Sequence, residues 1–356
     1  MMKRRNDIKR LRQLVGLLLV ALCMMACTTE TYPGDSMAAD KDEPMPIRLR
    51  MRPNINIGTE EEEWPIAGRP MARATTDDSN SNSSLPTDDY GVFIIDEETY
   101  QNLADRDTSL AGYKTYRYVN EMAKLEGDSL KREDGTYFFY PKYPKAQTQA
   151  TNAYIFVYWP YRAGLTLRSL MDGIDVSVDI DQSSSLKNSD VLAGWIKVST
   201  TNGIKDVSSL ASPSLQMSHV MSHLTIAYVH TTAADVTLSD ETLSATLGNV
   251  HTKVKLNLFE SLQNNSISVS DANTPNEIKL TPNEYSKTPV DNKVTTTFYA
   301  LVPPQNIETS GANVTMTING APQSSRTFYP SKSENTPTAW AAGKKYKYNY
   351  TYVTGE

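Results

Sequence analysis

Imidazoles and thiols are scarce in this 356-residue sequence, which holds four histidines and two cysteines. His219 and His223 lie four apart, and in an extended strand that even spacing puts both rings on one face, where two imidazoles could hold a metal. No carboxylate or third histidine shares that face nearby, so packed or rim histidines are expected rather than a metal site, and His230 and His251 stand apart. Asp175, Asp179 and Asp181 alternate with Val and Ile and could offer oxygen ligands to calcium. The Gly and terminal Glu of a calcium loop are missing, so these aspartates read as the solvated face of a strand. There is no Gly-x-Ser-x-Gly elbow, phosphate loop or dinucleotide fingerprint, and beyond Cys27 no cysteine that could act as a nucleophile. Neither an enzyme nor a cofactor is expected.

Two aromatic stretches are the other candidates for a site. In the first, Tyr154, Phe156 and Tyr158 share one strand face while Ile155, Val157 and Trp159 take the other, so the strand reads as buried on both sides. In the second, Tyr346, Tyr348, Tyr350 and Tyr352 share a face opposite Lys345, Lys347 and Asn349. Such rows can stack on sugars, but a core or inter-strand tyrosine ladder is the commoner use.

Cys23 and Cys27 both fall in the first tenth of the chain, which leaves no disulfide framework and no zinc-thiolate site for the remainder. Lys3, Arg4, Arg5, Lys9, Arg10 and Arg12 precede an apolar run from Leu14 to Ala26, shorter than the ~20 residues of a permanent membrane helix. This is the pattern of a secretory signal. It ends in Met24-Met25-Ala26-Cys27, which resembles a bacterial lipobox: a small residue before a cysteine whose thiol is acylated before cleavage on its amino side. Residues 1–26 are then a lipoprotein signal peptide, and Cys27 carries diacylglyceryl and fatty acyl chains such as palmitate. Thr28, standing where an Asp would hold a lipoprotein at the inner membrane, favours the outer membrane.

The elements that follow are strands. Residues 28–46 are poor in apolar groups and read as a tether. Ile47, Leu49 and Met51 then alternate with Arg48, Arg50 and Arg52, and Ile55 and Ile57 continue the period-2 pattern past Pro53. A polar stretch reaching Asp89 follows, so this strand stands isolated. From Tyr90 onward short apolar runs recur between turn signals, and only Thr99 to Ala111 hints at a helix. An all-β chain results, most simply two β-sandwiches with a boundary in the Ser/Pro-rich stretch Ser208 to Ser214. The runs are mostly shorter than the roughly ten residues of an outer-membrane barrel strand. With 39% hydrophobic residues, 21% charged and a net charge of −6 concentrated as acid after the signal, the body is folded and unsuited to nucleic acid.

A series of motifs in order carries a family resemblance: the lipobox at Cys27, the Arg73-Ala74 junction, Tyr90-Gly-Val-Phe-Ile, Tyr140-Pro with Ala153-Tyr-Ile-Phe-Val-Tyr-Trp-Pro-Tyr, and Ser189-Asp-Val-Leu-Ala. His219-Val-Met-Ser-His-Leu-Thr-Ile, Tyr299-Ala-Leu-Val-Pro-Pro-Gln and Trp340-Ala-Ala-Gly-Lys-Lys-Tyr-Lys-Tyr complete it. In this order they resemble the fimbrillins, the Mfa-like subunits of type V pili of Bacteroidota.

The resemblance implies two transthyretin-like β-sandwich domains in tandem, 74–212 and 213–356, behind a propeptide, 27–73, of tether and removable strand. It implies that an arginine-specific protease cuts between Arg73 and Ala74, removing Ile47, Leu49, Met51, Ile55 and Ile57. A strand donated by another pilus subunit then fills the groove. The route runs from outer-membrane lipoprotein to cell-surface fimbrium, with adhesion to a host or bacterial surface receptor as the consequence. In stalk subunits of that family the segment resembling Trp340-Ala-Ala-Gly-Lys-Lys-Tyr is usually followed by more strand-forming sequence than Lys347 to Glu356, so a tip or tip-proximal subunit is expected. A surface glycan-binding outer-membrane lipoprotein is the alternative, and a secreted hydrolase with a paired-acid cleft a more distant one.

Overall fold

The computed structural model describes residues 46–53, 85–105, 118–140, 152–182, 186, 189–199, 213–231, 243–270, 275–280, 282–288, 293–318, 324–332 and 337–353. Its first strands are β1 Pro46–Ile47, β2 Arg50–Pro53, β3 Tyr90–Asp96, β4 Tyr118–Glu126, β5 Ser129–Arg132, β6 Phe138–Phe139, β7 Asn152–Trp159, β8 Ile174–Ser177, β9 Leu192–Ser199 and β10 Ser214–His219. They continue as β11 Ser222–Thr231, β12 Leu243–Val250, β13 Lys253–Leu256, β14 Val269–Ser270, β15 Asn276–Leu280, β16 Pro282–Thr288 and β17 Lys293–Val302. The last are β18 Gln305–Asn306, β19 Asn313–Ile318, β20 Ser324–Phe328, β21 Ala339–Trp340 and β22 Lys345–Val353. Among the described residues four short α-helices intervene: α1 Glu97–Ala104, α2 Ser169–Asp172, α3 Leu258–Asn264 and α4 Ile307–Ser310. The protein is all-β.

The N-terminal strands close into one sheet in the order β10-β2-β5-β4-β3-β7-β9. β3 and the apolar run of β7 are buried along both faces, as a continuous apolar sequence requires. Phe93 and Ile95 of β3, with Tyr154, Phe156 and Tyr158 of β7, face a core shared with the C-terminal strands. The other face looks into the closed sheet. On the face toward the shared core Gly91 is needed, because the Tyr158 ring lies where any Cβ would stand, 2.1 Å from its Cε1 atom.

The C-terminal strands form two four-stranded sheets, β16-β17-β11-β22 and β15-β12-β19-β20, whose buried residues meet in the same core. Leu224, Ile226, Phe298, Tyr348 and Tyr350 come from one sheet and Leu247, Ile278, Val314 and Met316 from the other. β8 pairs with β13, and the Gln182 side chain both donates to and accepts from the backbone of Leu301, at 2.8 and 2.9 Å. An amide side chain there stands in for a strand. The described residues accordingly fall in one compact unit. The first sheet also continues past residue 212, since β10 pairs with β9 and β2.

The helix hinted at over Thr99 to Ala111 begins earlier, because Asp96 caps it by accepting from the Thr99 N–H at 2.8 Å. The strand β13 ends at Leu256. Asn257 accepts from the Glu260 N–H and starts α3 there instead.

Candidate functional site around the strand Arg50–Pro53

Ile47, Leu49 and Met51 are 2%, 1% and 1% exposed, while Arg48, Arg50 and Arg52 face solvent, so the alternation read in the sequence is the alternation of the folded strand. The position of β2 is less ordinary. It precedes every other strand of the closed sheet in sequence yet lies within that sheet, parallel to β10 and antiparallel to β5. The Arg50 N–H donates to the Pro213 carbonyl at 2.9 Å, the Met51 N–H to Asp128 at 2.8 Å, and the Leu49 carbonyl accepts from Leu130 at 3.0 Å. Both edges of the strand are therefore engaged. β1 adds an antiparallel pair, Ile47 opposite Phe138.

The neighbours of β2 carry the same inside-outside alternation. Leu215 and Met217 of β10 and Leu130 of β5 are buried, whereas Ser214 and Gln216 are exposed, so Leu49 and Met51 complete an apolar interior. Outside, Arg50 stands 3.6 Å from Asp128, and the Arg48 guanidinium and Lys131 ammonium lie 5.9 and 5.4 Å from the Tyr137 ring. These surface contacts add little beside burying three large side chains, each worth ~1.5 to 3 kcal/mol. Taking β2 away would open one groove with two unpaired strand edges and an apolar floor. That is the arrangement that accepts another extended segment. Cys27, Ile55, Ile57, Arg73 and Ala74 lie outside the described residues.

The other candidates are placed differently from expectation. His219 ends β10 and His223 lies in β11, and the bend between these strands removes the shared face that an uninterrupted strand would have given them. His219 Nδ1 meets Asp190 Oδ1 at 2.8 Å, while His223 stacks on Tyr299 at 5.5 Å between ring centres. Burial, helped by the nearby Lys345 and His219 charges, depresses His223 to about 3. His251 lies just after β12, its N–H bonded to Gln305. Among the described residues no three metal-binding side chains gather. Asp175 is exposed in β8, the Asp179 N–H donates to Ser189, and the backbone of Asp181 forms an isolated parallel β-bridge with that of Lys279.

Both aromatic rows send side chains into the core, Tyr154, Phe156 and Tyr158 from the first and Tyr348 and Tyr350 from the second. Tyr158 donates to Asn120 at 2.6 Å, and Tyr348 accepts from the Trp340 indole N–H at 2.9 Å. Tyr350 stacks on Phe328 with ring centres 4.3 Å apart. Ile180 and Tyr329 are large, apolar and exposed.

One cluster escaped sequence reading because it depends on the register of β7 on β9, which puts Tyr154 opposite Lys197. Glu97 accepts from Asn152 at 2.6 Å and from Tyr154 at 2.8 Å, and Lys197 Nζ lies 3.6 Å away. Burial pushes the Glu97 carboxyl up, but the hydrogen bonds from Gln101, Asn152 and Tyr154 with the Lys197 charge hold it at about 2. Lys197 is raised in turn, chiefly by its hydrogen bond to Tyr154. A lysine nucleophile needs its amine neutral, and this site keeps it protonated. The cluster fastens α1 to the sheet.

Comparison with known proteins adds two findings. The profile described as fimbrillin-like matches residues 73–356. Among solved structures, the chain is similar to a candidate cell adhesion protein from Bacteroides uniformis, at TM-score 0.51 and 16% identity over 88% of this chain and 94% of that one. A second such protein, from Bacteroides ovatus, matches at TM-score 0.48 and 14% identity, covering 87% and 92%. No curated protein matches the chain.

Proposed function

The chain belongs to the fimbrillin-like family, and from that premise we propose that it is a pilus subunit delivered as a Cys27 lipoprotein, cut after Arg73 and polymerised by strand exchange. The observation that carries this reading is the seat of the β1–β2 segment, an early stretch whose β2 is paired on both sides inside a closed sheet and whose Ile47, Leu49 and Met51 are buried. A segment so placed completes the fold while the chain is alone. A donated strand with the same apolar alternation can restore every contact it leaves. The family match begins at Arg73, the residue expected to end the propeptide. Tandem transthyretin-like domains, and partners comprising other subunits, an arginine-specific protease, the outer membrane and a surface receptor, belong to the same reading.

The seat of β22 supports a tip or tip-proximal position. Nine residues pair in register with β11, and Tyr348 and Tyr350 are buried against the facing sheet. A strand so fixed accepts the role of floor better than that of donor.

N-terminal sequencing and intact mass of the protein recovered from the cell surface test the proposal. A start at Ala74 without lipid is expected. A lipidated start at Cys27 on every surface copy overturns the cleavage and turns the reading toward an anchored binder.

A further inference from the structure

The strand proposed to leave carries its own arginines, spaced by two along its outer face. Arg48, Arg50 and Arg52 are exposed as side chains, but the backbone around them is not available: Arg50 and Met51 donate into the sheet and Leu49 accepts from it. An endopeptidase takes its substrate as an extended chain with free main-chain groups, so an arginine in a doubly paired strand is visible and uncleavable at once.

We infer that the bonds Arg48–Leu49 and Arg50–Met51 are cryptic cleavage sites that open only when the strand leaves, making its departure one-way; this rests on the proposed cut after Arg73. Arg52 is not part of the set, since Pro53 follows it and offers no N–H. Each step is a hydrolysis. Water adds across the amide, the C–N bond breaks, and an arginine carboxylate and a new amine on Leu49 or Met51 remain.

The need for such a device follows from how well the strand is held. Before the cut, β2 is covalently tied to the body and re-enters its groove at an effective concentration on the order of millimolar. After the cut that advantage is lost, but the segment still fits: Ile47, Leu49 and Met51 are buried almost completely. Left whole, it competes with an incoming strand for the same groove. Cutting after Arg48 and Arg50 separates Ile47 from Leu49 and Leu49 from Met51, so no fragment keeps these three buried side chains together. The protease that opens the groove also destroys its former occupant.

The full chain is incubated with an arginine-specific endopeptidase beside Arg73→Ala and the double variant R48K/R50K, and peptides are followed by mass. In the native chain the cut after Arg73 comes first and peptides ending at Arg48 and Arg50 follow. In Arg73→Ala those peptides form at least about tenfold more slowly, because cleavage tracks the small open population. In R48K/R50K the Arg73 cut keeps its rate, the excised segment stays whole, and more of it remains with the body on size exclusion. Equal cleavage after Arg48 and Arg50 in Arg73→Ala overturns the shielding. A native segment that is excised yet never trimmed overturns the inference and leaves strand release standing, whereas no cut after Arg73 removes both.

Discussion

β2 is four residues long and hydrogen-bonded along both edges, whereas β22 runs nine residues and, among the described residues, pairs along one edge only, with β11. By length β22 is the more committed strand. By position β2 is, because its loss opens two edges and the interior of a closed sheet, while loss of β22 bares the inner face of a sheet that already ends there. The three buried side chains of the β1–β2 segment amount to roughly 5 to 9 kcal/mol of transfer free energy, so this strand is not weakly held. A segment can be replaceable without being loose. What marks β2 is that its contacts are generic, main-chain ladders and aliphatic pockets that another alternating strand can make. β22 instead depends on specific partners, Trp340 on Tyr348 and Phe328 on Tyr350.

The sharpest way to break this comparison is Leu49→Asp. A carboxylate placed in an apolar interior with no partner costs about 4 kcal/mol or more, a large part of a typical domain's stability. Chemical denaturation of the full chain should show that loss, while Leu49→Met, which keeps the volume, should cost less than about 1.5 kcal/mol. If both variants unfold like the native chain, β2 is no part of the folded precursor.

The second test uses pH and acts on the seat of β22, where His223 lies opposite Lys345. The unfolded chain takes its proton near 6.5 and the folded chain only near 3, so between these values the unfolded state binds more protons. Stability therefore falls as pH drops through that window, by up to about 1.4 kcal/mol per pH unit from this group. In His223→Phe, which keeps a ring against Tyr299, this part of the slope should vanish. An unchanged slope between pH 6.5 and 4 would mean that His223 is hydrated rather than buried.

The two regions also differ in how far the sequence discloses them. The β1–β2 segment is legible because Ile47, Leu49 and Met51 alternate with three arginines, and no other period fits. Its place between β10 and β5 is not legible, since parallel pairing with Ser214–Met217 depends on how a whole sheet closes. β22 is legible over its full length from its tyrosines, of which Tyr348 and Tyr350 pack into the core. The hairpin of β4 and β5 escapes a pattern reading because its apolar side chains do not keep a strict alternation and Asn120 interrupts them with a positive φ of 55°. The histidine pair misleads for a similar reason, a bend at Val220 and Met221 that buried apolar residues conceal. The Glu97 cluster needs the β7–β9 register and has no local signature.

A smaller effect is expected at Tyr348. Its hydroxyl accepts from the Trp340 indole at 2.9 Å inside the core, so Tyr348→Phe leaves a buried N–H without its partner, at about 1 to 2 kcal/mol. Thermal or urea unfolding measures it. A Trp340→Phe exchange in the same background should then cost little extra hydrogen-bond energy, because the bond is already gone. Full additivity of the two would show that the bond contributes nothing to the seat of β22.

The smallest expected effect has the opposite sign and separates the two tyrosines of that seat. The Tyr350 hydroxyl is buried and, among the described residues, meets no hydrogen-bond partner; burial, then the nearby Tyr348, pushes its ionisation far above the ordinary range. A hydroxyl taken from water without compensation is a cost to the folded state, while the ring itself stacks on Phe328 and stays useful. Tyr350→Phe should therefore leave stability unchanged or raise it by up to about 1 kcal/mol, against the loss at Tyr348. Urea midpoints of the two single variants, measured at pH 7 where neither phenol ionises, make the contrast. A loss at Tyr350 equal to that at Tyr348 would mean that its hydroxyl finds a partner in the folded chain. The seat of β22 would then be held by two specific bonds, and its contrast with the generic seat of β2 would be greater still.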